Sequence, residues 1–83
     1  QRQFRVKAST EISDFNNFFA TKYQDNDFST IGGLVTQKFG YLPENDEKIS
    51  FDGFDFTIIR SDSRQIHSIQ INIQEPKKNV ELK

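Results

Sequence analysis

The apolar residues of this chain repeat at two spacings, one typical of strands and the other typical of helices. At positions 4–8, apolar residues alternate with basic ones, and this period of two predicts a half-buried β-strand. The same alternation recurs at positions 49–51, 54–58 and 69–73. Asp52-Gly53 separates the first two of these stretches and is a strong signal for a type I′ hairpin. The pattern therefore predicts four strands.

Between the first strand and the other three, the spacing indicates two helices. A first helix is expected to begin at Ser13, a good N-cap. Its predicted apolar stripe comprises Phe15, Phe18, Phe19 and Tyr23. A second helix is expected to begin at Asp27 or Ser29 and to end at Gly40, because Pro43 prevents its continuation. Its predicted inner face comprises Phe28, Ile31, Leu34, Val35, Lys38 and Phe39.

The order β-α-α-β-β-β predicts an α+β domain with a small antiparallel sheet and two helices packed on one face. Residues 1–74 are expected to form this domain. Residues 75–83 contain proline and lysine without periodicity, and are expected to form a flexible C-terminal tail. Because the chain begins at Gln1 rather than methionine, it is expected to be a piece of a longer protein.

Composition narrows the function classes. The 83 residues are 34% hydrophobic and include nine phenylalanines, enough for one packed core. The net charge of −1, with both signs interspersed, argues against a nucleic-acid partner. The absence of cysteine excludes disulfides and thiolate chemistry and favours a cytosolic setting. No apolar run approaches the roughly 20 residues of a membrane span.

Few residues suggest chemistry. Gly32 and Gly33 each cost a helix about 1 kcal/mol relative to alanine, so another backbone or a ligand is expected to lie against them. The packing interpretation is favoured over the ligand. His67 is the only histidine, and its parity places it on the face of Ile69 and Ile71. A partly exposed structural role is favoured over a catalytic triad or a transition-metal site.

Four aspartates are candidate ligands for a divalent cation. Asp25 and Asp27 resemble the opening of a calcium loop, but the loop template fails beyond them. Asp52 and Asp55 flank the predicted hairpin and could bind a hard cation. Loop solvation and helix capping are favoured for Asp25 and Asp27, and a solvated face is favoured for Asp52 and Asp55, so no metal is firmly implied. Both common nucleotide fingerprints are absent, and no set of residues supports an enzyme.

Several motifs in order resemble one family. Ser29–Val35 reads STIGGLV and 39–43 reads FGYLP; together they resemble the "T-hydrophobic-small-G-hydrophobic … LG-x-IP" core of the CorC/HlyC transporter-associated domain. The predicted first helix at 12–19, the hairpin at 48–56 and the strand RQIHSIQI at 64–71 are similar to the family's flanking elements. One departure is Asp46, which stands where the family usually has glycine. Aspartate tolerates a left-handed backbone, so this turn is expected to persist.

The resemblance implies a fold similar to one subdomain of flavin-binding oxidoreductases. It also implies a bacterial parent of the magnesium/cobalt efflux or haemolysin-C-like type, with a pair of CBS domains and often an N-terminal membrane domain. This segment would then be a cytoplasmic domain of a parent bound to, or associated with, the inner membrane. Its expected role is that of a non-catalytic accessory module that modulates ion transport.

Two functions from different classes follow. The first is a regulatory module that contacts its parent's other domains, or a second copy of itself, through its sheet edge and helix surface. The alternative is a sensor that binds FAD or an adenine nucleotide, with Gly32, Gly33 and Tyr41 as candidate contact residues. Weak binding of a divalent cation by surface carboxylates is a third hypothesis.

Overall fold

The computed structural model describes residues 2–74, which form two helices and four strands. The elements, in chain order, are β1 (Gln3–Lys7), α1 (Ile12–Phe19), α2 (Ile31–Phe39), β2 (Lys48–Phe51), β3 (Phe54–Ser61) and β4 (Ile66–Ile73). The predicted order β-α-α-β-β-β is confirmed. The tail predicted at 75–83 lies outside the described residues.

The four strands form one antiparallel sheet in the order β1-β4-β3-β2. The N-terminal strand therefore pairs with the C-terminal strand, with Arg5 opposite Gln70. β1 and β2 are the two edges of the sheet. This leaves β1, the shorter partner of an eight-residue strand, with one side free of strand pairing among residues 2–74.

The core lies between the helices and one face of the sheet. It comprises the buried residues Ala8, Ile12, Phe15, Ile31, Leu34, Val35, Phe54, Phe56, Ile58, Ile66, Ile69 and Ile71. β3 and β4 supply six of these side chains, and all but Ile66 follow the predicted period of two. The opposite face of the sheet is mainly polar, because the alternate positions of the strands carry charged, hydroxyl or amide side chains, with Ile59 as the exception.

The turns follow the predicted chemistry. Asp52 and Gly53 both have positive φ angles, 55° and 85°, as a type I′ hairpin requires. Gly40 ends α2 in the left-handed conformation, with φ 82°. Asp46 also has a positive φ, 74°, so the turn persists without the family's usual glycine.

The prediction for α1 is wrong in two respects. The helix begins one residue before Ser13, and its N-cap Glu11 makes no side-chain capping hydrogen bond. Tertiary contacts fix this start instead, because Glu11 forms a β-bridge with Thr30 and the Ile12 N–H donates to the Ser29 carbonyl at 2.9 Å. The predicted stripe also fails at two positions. Phe18 is 68% exposed, and Tyr23 lies beyond the helix, which ends at left-handed Ala20.

The prediction for α2 is wrong at its start and at one inner position. Thr30, and neither Asp27 nor Ser29, is the N-cap, and its hydroxyl accepts from the Gly33 N–H at 3.2 Å. Lys38 is exposed rather than inward, and its ammonium lies 5.1 Å from the centre of the Phe51 ring. A cation at this distance is attracted by the face of the aromatic ring, so Lys38 contacts the half-buried Phe51 from the solvent side.

Candidate functional site

A groove of about 890 Å³ runs from the start of α2 to the ends of β1, β3 and β4. We call it the basic groove, because its lining includes the cationic side chains of Lys7, Arg60 and Arg64. Asp27 is the only carboxylate among its lining residues. Its remaining lining comprises Ala8, Ser9, Phe28, Thr30, Gly32, Gly33, Thr36, Gln37, Leu42, Gln65, Ile66, His67 and Ser68.

Gly32 and Gly33 lie in this groove, but neighbouring residues occupy the space where their side chains would stand. A Cβ on Gly32 would come within 2.8 Å of the Ala8 Cβ and 3.0 Å of the Ala8 carbonyl oxygen. A Cβ on Gly33 would come within 2.9 Å of the Phe28 Cβ. The close backbone approach expected from the glycines is thus present at Gly32, between α2 and the residue that follows β1, whereas Gly33 meets a side chain.

The start of α2 does not offer its amides to a ligand. The Ile31 N–H donates to the Thr10 carbonyl at 2.9 Å, and the Gly32 N–H donates to the Ala8 carbonyl at 2.9 Å. The Gly33 N–H donates to Thr30, as described above. Because the first three amides already have protein acceptors, an anion in the basic groove would meet side chains rather than the helix terminus.

A β-bulge brings Arg60 to the groove. In β3 the pairing with β4 shifts between Ile58 and Arg60, and shifts again between Arg60 and Ser61. Arg60 therefore pairs with Ser68, which pairs on its other side with Lys7. A bulge bends its strand and re-aims side chains, so the two cations stand on either side of one serine across three strands. Sequence periodicity gave no signal for this arrangement.

The turn between β3 and β4 is held by Asp62. Its Oδ1 accepts from the backbone N–H groups of Arg64 at 2.8 Å and Gln65 at 2.9 Å, and its Oδ2 lies 2.7 Å from the His67 Nε2. The contact with His67, followed by the two backbone donors, holds the pKa of Asp62 well below its ordinary value of 3.8. His67 is partly exposed, as predicted. The bulge places Ile66 in the core at this end of β4.

The Asp62–His67 pair is not a catalytic triad in the described part of the chain. No serine hydroxyl among residues 2–74 hydrogen-bonds to the His67 ring. A triad needs such a nucleophile on the second ring nitrogen. The pair therefore fits the structural role expected of His67.

Tyr41, the third candidate for a nucleotide, does not join the glycines. It is 55% exposed, does not line the basic groove, and donates its hydroxyl to the Glu47 carboxylate at 2.6 Å. That hydrogen bond raises the pKa of Tyr41, and the backbone N–H of Glu44 together with Tyr41 lowers the pKa of Glu47. Stacking by Tyr41 on a ligand shared with Gly32 and Gly33 has no geometric support among residues 2–74.

The four aspartates proposed for a cation do not converge. Asp52 accepts a hydrogen bond from the Tyr23 hydroxyl at 2.9 Å. Asp55 accepts from the Ser50 hydroxyl and, at 2.7 Å, from the Gln74 amide, and these bonds lower its pKa. Asp25 and Asp27 lie in the exposed loop before α2. No group of three or more histidine, aspartate or glutamate side chains suited to a metal occurs within residues 2–74. Cation binding by these residues stays a prediction.

A second surface lies beside β1 and α1. Phe18 projects at this surface, and its ring packs edge-on against Phe4 at 5.4 Å and Phe19 at 4.8 Å between centroids. A groove of about 350 Å³ is lined here by Phe4, Arg5, Val6, Thr10, Asp14, Phe15, Phe18 and Phe19. We call this the Phe18 surface. Sequence reasoning placed Phe18 in the core, because a helical stripe alone does not tell which of its members the sheet covers.

Comparisons with known proteins agree with this geometry. The sequence profile of the CorC_HlyC family, described as a transporter associated domain, matches residues 1–75. The chain belongs to this family. It is 44% identical over 77 residues to the magnesium and cobalt efflux protein CorC of Buchnera aphidicola, covering 93% of this chain and 26% of that protein. It is 45% identical over 71 residues to CorC of Escherichia coli K12, and this match covers 86% of this chain and 24% of that protein.

Solved structures of the family have the same fold. The CorC-associated region from Neisseria meningitidis superposes with a TM-score of 0.84 at 41% identity, covering 88% of this chain and 90% of that one. A CorC_HlyC domain from a Xylella fastidiosa haemolysin, solved in complex with Mg²⁺ and Mn²⁺, superposes with a TM-score of 0.76 at 18% identity, covering 88% and 89%. The α+β class predicted from the sequence is confirmed.

The match also bounds what the family assignment covers. This chain spans about a quarter of the length of the CorC proteins it matches. The family is a transporter-associated domain of bacterial efflux proteins and is not a known enzyme family. Neither helix described in residues 2–74 has the length and apolar character needed to cross a membrane.

Proposed function

We propose that this domain is a non-catalytic accessory module of a bacterial magnesium/cobalt efflux protein, and that it regulates ion movement by contacting other domains of its parent. The family and the CorC relatives support the parent's class. We further propose that the parent carries a CBS-domain pair and an inner-membrane domain, with this domain on the cytoplasmic side. Since the chain spans about a quarter of the CorC relatives, a parent of that length would contain other domains for it to contact.

The observation that carries the proposal is the Phe18 surface. Fully burying a phenylalanine stabilises a fold by about 1.5–3 kcal/mol, yet Phe18 is 68% exposed beside the unpaired side of β1. A clustered aromatic surface next to a free strand edge is typical of sites where another polypeptide docks.

A chimera tests this proposal. In Escherichia coli CorC, the matched segment would be replaced by this chain, and cobalt release from preloaded cells would be measured. Phe18→Ser should reduce release, because it removes the contact without unfolding a domain in which Phe18 is mostly exposed. Tyr41→Ser is the matched control, since Tyr41 is 55% exposed but lies outside the Phe18 surface. Equal release by the two variants would refute the contact role.

The second candidate function is a sensor of FAD or an adenine nucleotide. The basic groove favours it, because Gly32 and Gly33 lie beside three cationic side chains in a space of about 890 Å³. Cavities of roughly 300–1,000 Å³ are the usual size of small-molecule sites. Under this proposal, ligand binding and the Phe18 contact are separate properties on separate surfaces.

A further inference from the structure

We propose that the basic groove binds a small molecule carrying two or more phosphate groups, and that Lys7, Arg60 and Arg64 hold those phosphates. The inference deepens the second candidate function and rests on it only for the size of the ligand. It is independent of the Phe18 surface, which none of these three residues lines.

The three cations have no acidic partner within the described residues. Among residues 2–74, no carboxylate forms an ion pair with Lys7, Arg60 or Arg64. Lys7, Arg60 and Arg64 are all exposed, yet all three line the same groove. Three cations against the single carboxylate of Asp27 give this groove a net charge of +2, in a chain whose net charge is −1. Mutual repulsion in such a cluster falls when an anion enters.

The backbone fixes the spacing of the cluster. Lys7 and Arg60 both pair with Ser68, so they stand two strand spacings apart, about 10 Å between their backbones. Lysine and arginine side chains are long enough to span that distance, and Ser68 lies between the two residues in the sheet. Two cations at this separation suit neighbouring phosphates better than a single one. The planar guanidinium of Arg60 can bind a phosphate with two hydrogen bonds.

The third cation is placed by a turn that Asp62 holds. The Asp62 carboxylate accepts hydrogen bonds from the Arg64 and Gln65 N–H groups and contacts His67. Its oxygens are therefore engaged by the turn and by the histidine rather than by the Arg64 side chain. The backbone at Arg64 is therefore fixed while its side chain is left to the groove. The buried residues Ala8, Gly32 and Ile66 also line the groove, so part of its wall is apolar.

The expected ligand carries linked phosphate groups. Two kinds of molecule have this chemistry: a nucleotide and an inorganic polyphosphate. The helix start does not contribute, since its amides are occupied. The phosphates therefore bind by side-chain charge alone. Such binding weakens steeply with ionic strength, because solvent-exposed charges are screened over about 8 Å at physiological salt.

Calorimetric titration of the 83-residue chain tests the inference, with pyrophosphate, ATP, FAD, adenosine and citrate as probes. Pyrophosphate and ATP should bind, while adenosine should not. Arg60→Gln and Arg64→Gln should each weaken binding about tenfold, and the triple variant with Lys7→Gln should abolish it. Lys22→Gln is the control, since Lys22 is exposed and lies outside the groove. Arg60→Lys, which keeps the charge but loses the planar fork, should weaken binding by less than Arg60→Gln.

The outcomes separate the two proposals. ATP binding stronger than that of tripolyphosphate, a further probe with the same number of phosphates, assigns the groove to nucleotides, whereas equal binding assigns it to polyphosphate and removes the nucleotide sensor. ATP or FAD binding that the triple variant leaves unchanged would overturn the phosphate cluster while leaving the sensor in place. No heat with any probe, or citrate binding as tightly as pyrophosphate, would also overturn the inference. Unchanged melting temperatures of the variants confirm that they are folded.

Discussion

At the scale of single residues, Gly32 brings α2 against Ala8, the residue that follows β1. Its N–H donates to the Ala8 carbonyl, and a Cβ there would lie 2.8 Å from the Ala8 Cβ. The contact joins the second helix to the end of the first strand, two elements 24 residues apart in sequence. The glycine thus has a structural role whether or not a ligand lies in the groove beside it.

Gly32→Ala should destabilise the domain. Alanine is better than glycine by about 1 kcal/mol in an unhindered helix, but here the clash with the Ala8 Cβ and carbonyl oxygen should dominate and cost about 1–3 kcal/mol net. Denaturant unfolding measures the change. Gln37→Ala, at an exposed position of the same helix, should leave stability nearly unchanged. A stabilised Gly32→Ala variant would show that the Ala8 backbone yields without cost.

Asp62 should make stability depend on acid. Its pKa is lowered in the folded state, so its contribution is present above its ordinary pKa of 3.8 and is lost as the pH falls below that value. Asp62→Asn keeps an oxygen that can accept from the turn amides but cannot titrate. The variant should therefore lose less stability than the parent chain between about pH 5 and pH 2. Urea unfolding across that range measures it, with Asp25→Asn expected to match the parent chain. Parallel curves would contradict the assignment.

At the scale of elements, one side-chain hydrogen bond ties the loop after α1 to the β2–β3 hairpin. The Tyr23 hydroxyl donates to Asp52 at 2.9 Å, across 29 residues of sequence. Asn16 in α1 fixes the position of Tyr23, because its Oδ1 accepts from the Tyr23 N–H at 3.0 Å and its amide donates to the Tyr23 carbonyl at 2.9 Å. Burial, followed by the hydrogen bond to Asp52 and its charge, raises the pKa of Tyr23.

Tyr23→Phe should make the free energy of unfolding depend less on pH in alkaline solution. A raised folded-state pKa means that the contribution of Tyr23 is fully present below its ordinary pKa of 10.0 and is lost as the pH rises above it. The phenylalanine variant should be less stable near neutral pH by about 0.5–1.5 kcal/mol, the usual value of one hydrogen bond. Its stability should then fall less above about pH 10. The exposed Tyr41→Phe should change this slope less; a larger change than in Tyr23→Phe would contradict the account.

Sequence periodicity predicts what local chemistry decides and misses what distant residues decide. The hairpin at Asp52-Gly53 and the end of α2 at Gly40 follow from backbone preferences, and both are confirmed. The start of α1 does not follow from such local preferences. The bridge between Glu11 and Thr30 fixes this start, and no capping side chain does. The placement of Arg60 was equally hidden, since a bulge interrupts the period of two.

At the scale of the whole molecule, the two surfaces of interest lie in different places. The Phe18 surface is apolar and flanks the free side of β1, whereas the basic groove lies at the ends of three strands. The order β1-β4-β3-β2 creates both, because it exposes β1 and brings Lys7 beside Ser68. Nothing in the local sequence encodes that pairing. A domain with separate surfaces for a protein and for a small anion could couple the two, as a regulatory module requires.

The most direct test of the central claim is the affinity of this chain for the rest of a CorC protein. Escherichia coli CorC lacking its matched segment would be immobilised, and the 83-residue chain would be added at increasing concentration. The account predicts saturable binding that Phe18→Ser weakens about thirtyfold, the size expected of an aromatic residue at the centre of an interface, and that Tyr41→Ser leaves unchanged. Absent binding, or equal affinities for the two variants, would contradict it.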